Sequence, residues 1–223
     1  MMELQPFTTE QDFAFEGIPV LTASVSVPQP AALQDRISRR IFRYYQQQAG
    51  SYLKYCQRTL FPVAAAEYQA ALSVSAPFTP FRGELHYEIT WQDSHFLSLY
   101  TQSKEICGTR FLLQRWGDTW DLTCGVPVPL SDFFPVHSHW KQQLLRRISE
   151  EIRSREETGL SQYHIHNWRA LRRVWNPQNY YLSPSGLSLF FPMYSIAVAS
   201  EGIPTFSFPF PGKNTSPADS RKT

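Results

Sequence analysis

LHYEITWQDSHFLSLYTQSKEICGTRFLLQRWGDTWDLTC, Leu85 to Cys124, decides the fold. Leu85, Tyr87, Ile89 and Trp91 alternate with His86, Glu88 and Thr90, the period of a strand with one apolar face. Gln92 to Ser94 reads as a turn. His95–Thr101, Thr109–Trp116 and Thr119–Cys124 read as three further strands, with Gly117-Asp118 as a glycine-first hairpin turn between the last two. Strands joined by such short turns pair antiparallel, so this stretch predicts a four-stranded meander.

Upstream, residues 1–17 read as a loose lead-in. Ile18–Val27 reads as a strand that Pro28 and Pro30 end, because neither can donate to a ladder. Leu33, Ile37, Ile41 and Tyr44 or Tyr45 then recur at helical spacing, with Arg36, Arg39, Arg40 and Arg43 on the remaining face. Tyr52, Tyr55, Ala64, Ala65, Tyr68 and Leu72 extend this into a long helix with a kink expected at Pro62.

Downstream of the meander, Trp140, Leu144, Leu145, Ile148 and Ile152 form the apolar stripe of a second helix, about Ser138 to Arg155, which Gly159 stops. A shorter helix or irregular turn covers His164–Val174. A hairpin pairs Asn179–Leu182 with Leu187–Phe191, and Thr205–Phe210 is a last strand. The tail, 212–223, is polar, lacks periodicity and reads as disordered. The helices do not separate the strands one by one. The expected class is therefore α+β: an antiparallel β-sheet meander with a long N-terminal helix and a second amphipathic helix packed on one face.

The 223 residues carry 42% hydrophobic and 18% charged side chains, the balance of a globule with a real core rather than a disordered polymer. Lys and Arg total 21 against 19 Asp and Glu, a formal charge of +2, which excludes a histone-like protein and argues against wholesale nucleic-acid binding. The most apolar stretch, Phe61–Ala76, contains Glu67 and Gln69 and falls short of a membrane span. Met1–Glu16 lacks the basic start and apolar run of a secretory signal, so the sequence as written reads as cytoplasmic. Cys56, Cys107 and Cys124 are too few and too widely spaced for a disulfide framework or a zinc site, and read as ordinary thiols.

The chemistry-bearing residues are sparse. His137 and His139, and His164 and His166, would share a face on a strand, but neither pair lies in a clear strand and no Cys or carboxylate cluster falls beside them; no metal or cofactor is expected. Nucleophile-elbow, phosphate-loop and zincin motifs are absent. Cys107, read as a loop thiol, with His86 or His95 on neighbouring strands, is the one pairing from which a hydrolase or transferase could be built. Arg169, Arg172 and Arg173 interleave with Trp168 and Trp175. Such a patch can stack on single-stranded nucleic acid, but it suits a protein or glycan contact better, or a helix with buried indoles and snorkelling guanidinium stems.

Several segments in order resemble a known bacterial family. Ile18-Pro19-Val20-Leu21, ahead of a strand and a long helix, is similar to the start of the PdaC-like domain, the non-catalytic companion of peptidoglycan deacetylases. Leu130-Ser131-Asp132-Phe133-Phe134 before an amphipathic helix resembles a segment of the RsiV-like C-terminal domain. Asn179-Tyr180-Tyr181-Leu182, Gly186-Leu187-Ser188-Leu189-Phe190-Phe191 and Tyr194-Ser195-Ile196-Ala197 resemble its closing pattern. The resemblance implies a PdaC-like half over 18–108 and an RsiV-like half over 109–211. RsiV-like receptors are extracellular and bind lysozyme, so it implies a non-enzymatic protein-binding domain, here without an anchor. The protein partner would be lysozyme-like or intracellular, with a cell-wall glycan as the alternative ligand and no nucleic acid. Asp132 is expected to turn the chain ahead of the helix. Where the family has a glycine-rich bend, this chain has Gln102 to Gly108; where the family has Pro-Tyr, it has Val198-Ala199. Recognition is accordingly expected on loops at one end of the sheet, through Tyr100, Gln102, Lys104 and Cys107 and through Tyr194, Val198 and Glu201, together with Trp168 and Arg172.

Overall fold

A computed structural model describes residues 2–159 and 161–210; the expected disordered tail, 212–223, lies outside them. The fold is α+β. Among the described residues, nine strands form a six-stranded sheet and a three-stranded sheet, each with its strands side by side in chain order. The chain divides into two compact units, Met1–Tyr87 with Thr101–Leu113, and Glu88–Tyr100 with Gln114–Thr223.

In the first unit, β1 (Leu4–Phe15) pairs antiparallel with β2 (Ile18–Pro30) through a turn at Glu16 and Gly17, both at positive φ. The stretch read as a loose lead-in is thus an edge strand. Its side chains are mostly exposed, with Phe13 the one buried, so it carries no apolar alternation to announce it. β2 does not stop at Val27. Pro28 and Pro30 sit opposite Pro6 and Leu4, and β3 (Phe81–Gln92) pairs with β2 only from Leu21 to Val25, so a missing donor beyond Val25 breaks no bond on that side.

The β2–β3 pair is parallel, an exception to the antiparallel expectation. A long helical crossover joins them and returns the chain to the same end of the sheet. α1 (Arg36–Tyr55) starts at Asp35, whose carboxylate accepts from Ile37 N and Ser38 N at 2.7 and 2.8 Å. It buries Ile41, Tyr45, Ala49 and Tyr52 along one face, against β2. The expected kink at Pro62 takes the form of a π-turn, Cys56–Leu60, leading into α2 (Phe61–Ser73). Pro62 has no N–H, and its ring would clash with the carbonyl four residues back; the wider turn relieves both.

β4 (Phe96–Cys107) and β5 (Arg110–Asp121) are longer than the sequence suggests. The reversal falls at Gly108, at φ +60°, and β5 runs straight through Gly117-Asp118. That glycine serves close approach rather than a turn: a Cβ there would lie 2.0 Å from the Tyr180 carbonyl oxygen. The expected third and fourth strands, Thr109–Trp116 and Thr119–Cys124, thus merge into β5 as far as Asp121, and a two-residue strand, β6 (Val126–Pro127), pairs back onto Trp120 and Asp121.

In the second unit, α3 (Trp140–Glu157) buries Leu144, Leu145, Ile148 and Ile152, the stripe expected from its spacing. α4 (Trp168–Val174) contributes Leu171 to the same core. β7 (Tyr180–Ser183), β8 (Gly186–Phe190) and β9 (Thr205–Phe208) form an antiparallel sheet, and β8, central and wholly buried, is apolar apart from Ser188. Phe133, fully buried, joins this core against Phe96 and Tyr180. Asp132 lies in a short 3-10 turn, Leu130–Phe133, ahead of α3. Among the described residues, no helix is long and apolar enough to cross a membrane.

Candidate functional site

The segment expected to be a recognition loop, Tyr100 to Thr109, is mostly strand: Tyr100, Gln102, Lys104 and Cys107 all lie on β4. The pattern Thr101-Gln102-Ser103-Lys104-Glu105 alternates in burial, with Thr101, Ser103 and Glu105 inward and Gln102 and Lys104 half-buried. The stretch from Gln102 to Cys107, expected as a loop, therefore continues the strand.

Tyr100 belongs to the second unit. Its hydroxyl donates to Glu88, and the Arg115 guanidinium lies 4.2 Å from its ring centroid. Burial and the Glu88 carboxylate push the phenol up to about 12. The arrangement ties β3, β4 and β5 together within that unit.

The inward residues of β4 in the first unit face α1. Gln48 Nε2 donates to Thr101 Oγ1 at 2.7 Å, and the Tyr55 hydroxyl donates to Glu105 Oε2 at 3.1 Å. Glu105 is 5% exposed. Burial pushes its carboxyl above the ordinary value of 4.5, although the Tyr55 bond pulls the other way. The folded state therefore holds this proton more tightly than the unfolded chain does, and stability falls as pH rises from about 4.5 through the folded value. Glu105→Gln, which keeps the shape and the acceptor for Tyr55, is expected to raise the melting temperature at pH 8 and to match the parent at pH 4; scanning calorimetry at both pH values checks this.

Cys107, at the end of β4, is half-buried with Glu105, Glu67 and Arg110 around it. Burial pushes its thiol up, away from the thiolate a nucleophile needs. Cys56 is pushed to about 11 by the same cause, and Cys124 is exposed. Among the described residues, no three His, Cys, Asp or Glu side chains converge as metal ligands. His166 instead pairs with Glu156 at 2.9 Å.

The second expected loop is held from within. Val198 N donates to Gln162 O at 3.2 Å, and Glu201 Oε1 accepts from Gln162 N at 3.0 Å. These two residues thus fasten the Gln162 segment. Tyr194 is 51% exposed and sits at φ +67°, a conformation that costs energy for a non-glycine residue.

Trp168 and Arg172 occupy a more developed setting. They line a groove of about 500 Å³ between the first turn of α3 and α4, with Trp140, Lys141, Leu145 and Trp175 among the other walls. Phe134 stacks on Trp140 with centroids 4.5 Å apart and planes 6° from parallel, and Trp175 meets Trp140 edge-on at 5.8 Å. Lys141 Nζ lies 5.4 Å from the Trp140 centroid, and the Arg146 and Arg169 guanidinium groups lie 5.6 and 5.5 Å from that of Trp168. The Asn167 side chain caps α4 by accepting from Ala170 N at 2.9 Å, which fixes Trp168 as its first residue. The indoles pack their inner edges against the core. Sequence reasoning finds Trp168, Trp175 and the arginines but assigns Trp140 to the core stripe. The stacked Phe134 and the turn into α3, which bring Trp140 to the groove, leave no periodic signal.

Residues 131–211 match a family profile described as "Protein of unknown function (DUF3298)". No curated protein matches the chain. The fold is similar to the crystal structure of a DUF3298 family member from Bacteroides fragilis, with a TM-score of 0.68 and 12% identity over 94% of this chain and 90% of that one. It is also similar to a DUF3298 family protein from Pseudomonas aeruginosa, with a TM-score of 0.55 and 15% identity over 93% of this chain and 90% of that one.

Proposed function

We propose that this chain is a non-enzymatic, RsiV-like binding domain that holds a protein partner in the groove between α3 and α4. The observation that carries this reading is the groove itself: three indoles line it beside Lys141 and Arg172. Aromatic and arginine side chains anchored on rigid elements are what protein interfaces use as hot spots. Each indole is fixed by packing, so little side-chain entropy remains to be lost on binding. The β4 residues and the Val198–Glu201 segment serve the scaffold in this reading, and Cys107 is a scaffold thiol.

Animal-type lysozyme, the partner the resemblance implies, is the first probe, titrated calorimetrically at about 0.15 M salt so that loose charge attraction is screened. Saturable one-to-one binding that Trp168→Ala weakens at least about tenfold is the expected signature of recognition through the groove. Binding that Trp168→Ala leaves untouched would place recognition elsewhere and contradict it. No binding would remove lysozyme as the partner and direct the search to other proteins.

A further inference from the structure

If the groove is the binding site proposed above, its charge narrows the choice of occupant further than its shape does. None of the lining residues is acidic, while Lys141 and Arg172 stand exposed on its rim. Arg146 and Arg169 lie over the Trp168 ring and add to the positive field. The first turn of α3 forms one wall and has no acidic residue, and His139, at its N-cap position, makes no side-chain cap bond. Amide N–H groups at such a turn attract negative charge. The Trp175 Nε1 donor is buried and finds no acceptor among the described residues. A cationic segment would be repelled by Lys141 and Arg172; a neutral one would leave the rim charges unused.

We infer that the groove takes an acidic segment of the partner protein: carboxylate side chains on the cationic rim, flanked by apolar side chains against the partly buried indoles. The whole chain has a formal charge of only +2, so the positive field is local and suits a few carboxylates rather than a polyanion such as a nucleic acid. Recognition of this kind joins arginine capture of acidic motifs to an aromatic anchor.

The test uses fluorescence anisotropy with three labelled peptides blocked at both ends: one rich in Glu, Leu and Phe, one with Gln for Glu, and one with Lys for Glu. The acidic peptide is expected to bind saturably, the Gln copy at least about tenfold more weakly and the Lys copy not at all. Lys141 and Arg172 are exposed, so Lys141→Glu with Arg172→Glu is expected to leave the fold intact, checked by its melting curve, and to exchange the preference towards the Lys peptide. If the Gln or Lys copy binds the parent as tightly, and Trp168→Ala abolishes that binding, the acidic preference is overturned while the groove remains the recognition site. If none of the peptides binds, the acidic occupant is overturned, while the groove reading still stands or falls with the Trp168→Ala titration above. A uronic-acid oligosaccharide or a single-stranded oligonucleotide that binds more tightly than the acidic peptide would overturn the protein occupant.

Discussion

Gly117→Ala is expected to cost about 4 kcal/mol or more, placing it in the tail of single-substitution effects. An added Cβ would stand 2.0 Å from the Tyr180 oxygen and 2.8 Å from its carbonyl carbon. Both are backbone atoms, so no side chain can swing aside, and the two segments would have to part. For a chain of this length each kcal/mol shifts the melting temperature by about 2–4 °C, so a fall of about 10 °C is expected. Gly50→Ala is the internal control. Gly50 lies within α1 and a Cβ there meets nothing within 4 Å, so the same chemical change should add about 0.5–1 kcal/mol. A Gly117→Ala protein that melts within about 2 °C of its parent would contradict the close approach of β5 to Tyr180.

Phe133→Ala is the second large effect. Phe133 is fully buried, with ring centroids 6.0 Å from Phe96 and 6.2 Å from Tyr180. Removing it empties the centre of the second unit's core, and a loss of about 3–5 kcal/mol is expected in urea unfolding. Its neighbour Phe134 is partly buried and stacks on Trp140. Phe134→Ala should therefore cost less stability but loosen the groove wall. A fully stable Phe133→Ala protein would mean that this residue does not organise the core.

These two positions show what is legible in the sequence and what is not. Phe133 belongs to the Leu130–Phe134 segment that the sequence reading singles out, and the helix after it shows its buried stripe at plain three- and four-residue spacing. Gly117 misleads because a glycine before an aspartate looks the same whether it turns the chain or admits another backbone. Only the position of Tyr180, far away in the sequence, separates the two. β1 escapes a sequence reading for a related reason: a strand exposed along most of its length has no apolar face to record.

The groove is half legible. Trp168, Trp175 and the arginines stand out by composition, whereas Trp140 reaches them through the stacking on Phe134 and the packing of α3 against α4. The loop residues carried over from the family pattern take a different part. From Gln102 to Cys107 β4 simply continues, and Val198 and Glu201 bond to the neighbouring segment at Gln162. Whether such a segment turns away as a loop or continues a strand depends on pairings between residues distant in the chain.

The central claim, that recognition occurs in the groove between α3 and α4, is tested most directly by the indole N–H signals of the six tryptophans in ¹⁵N-labelled protein. The acidic peptide would be added to saturation. The account expects the signals of Trp140, Trp168 and Trp175 to shift together along one binding curve, while that of Trp120, buried away from the groove lining, and that of exposed Trp116 stay in place. Saturable binding that moves Trp116 and leaves the three groove indoles unmoved would contradict it.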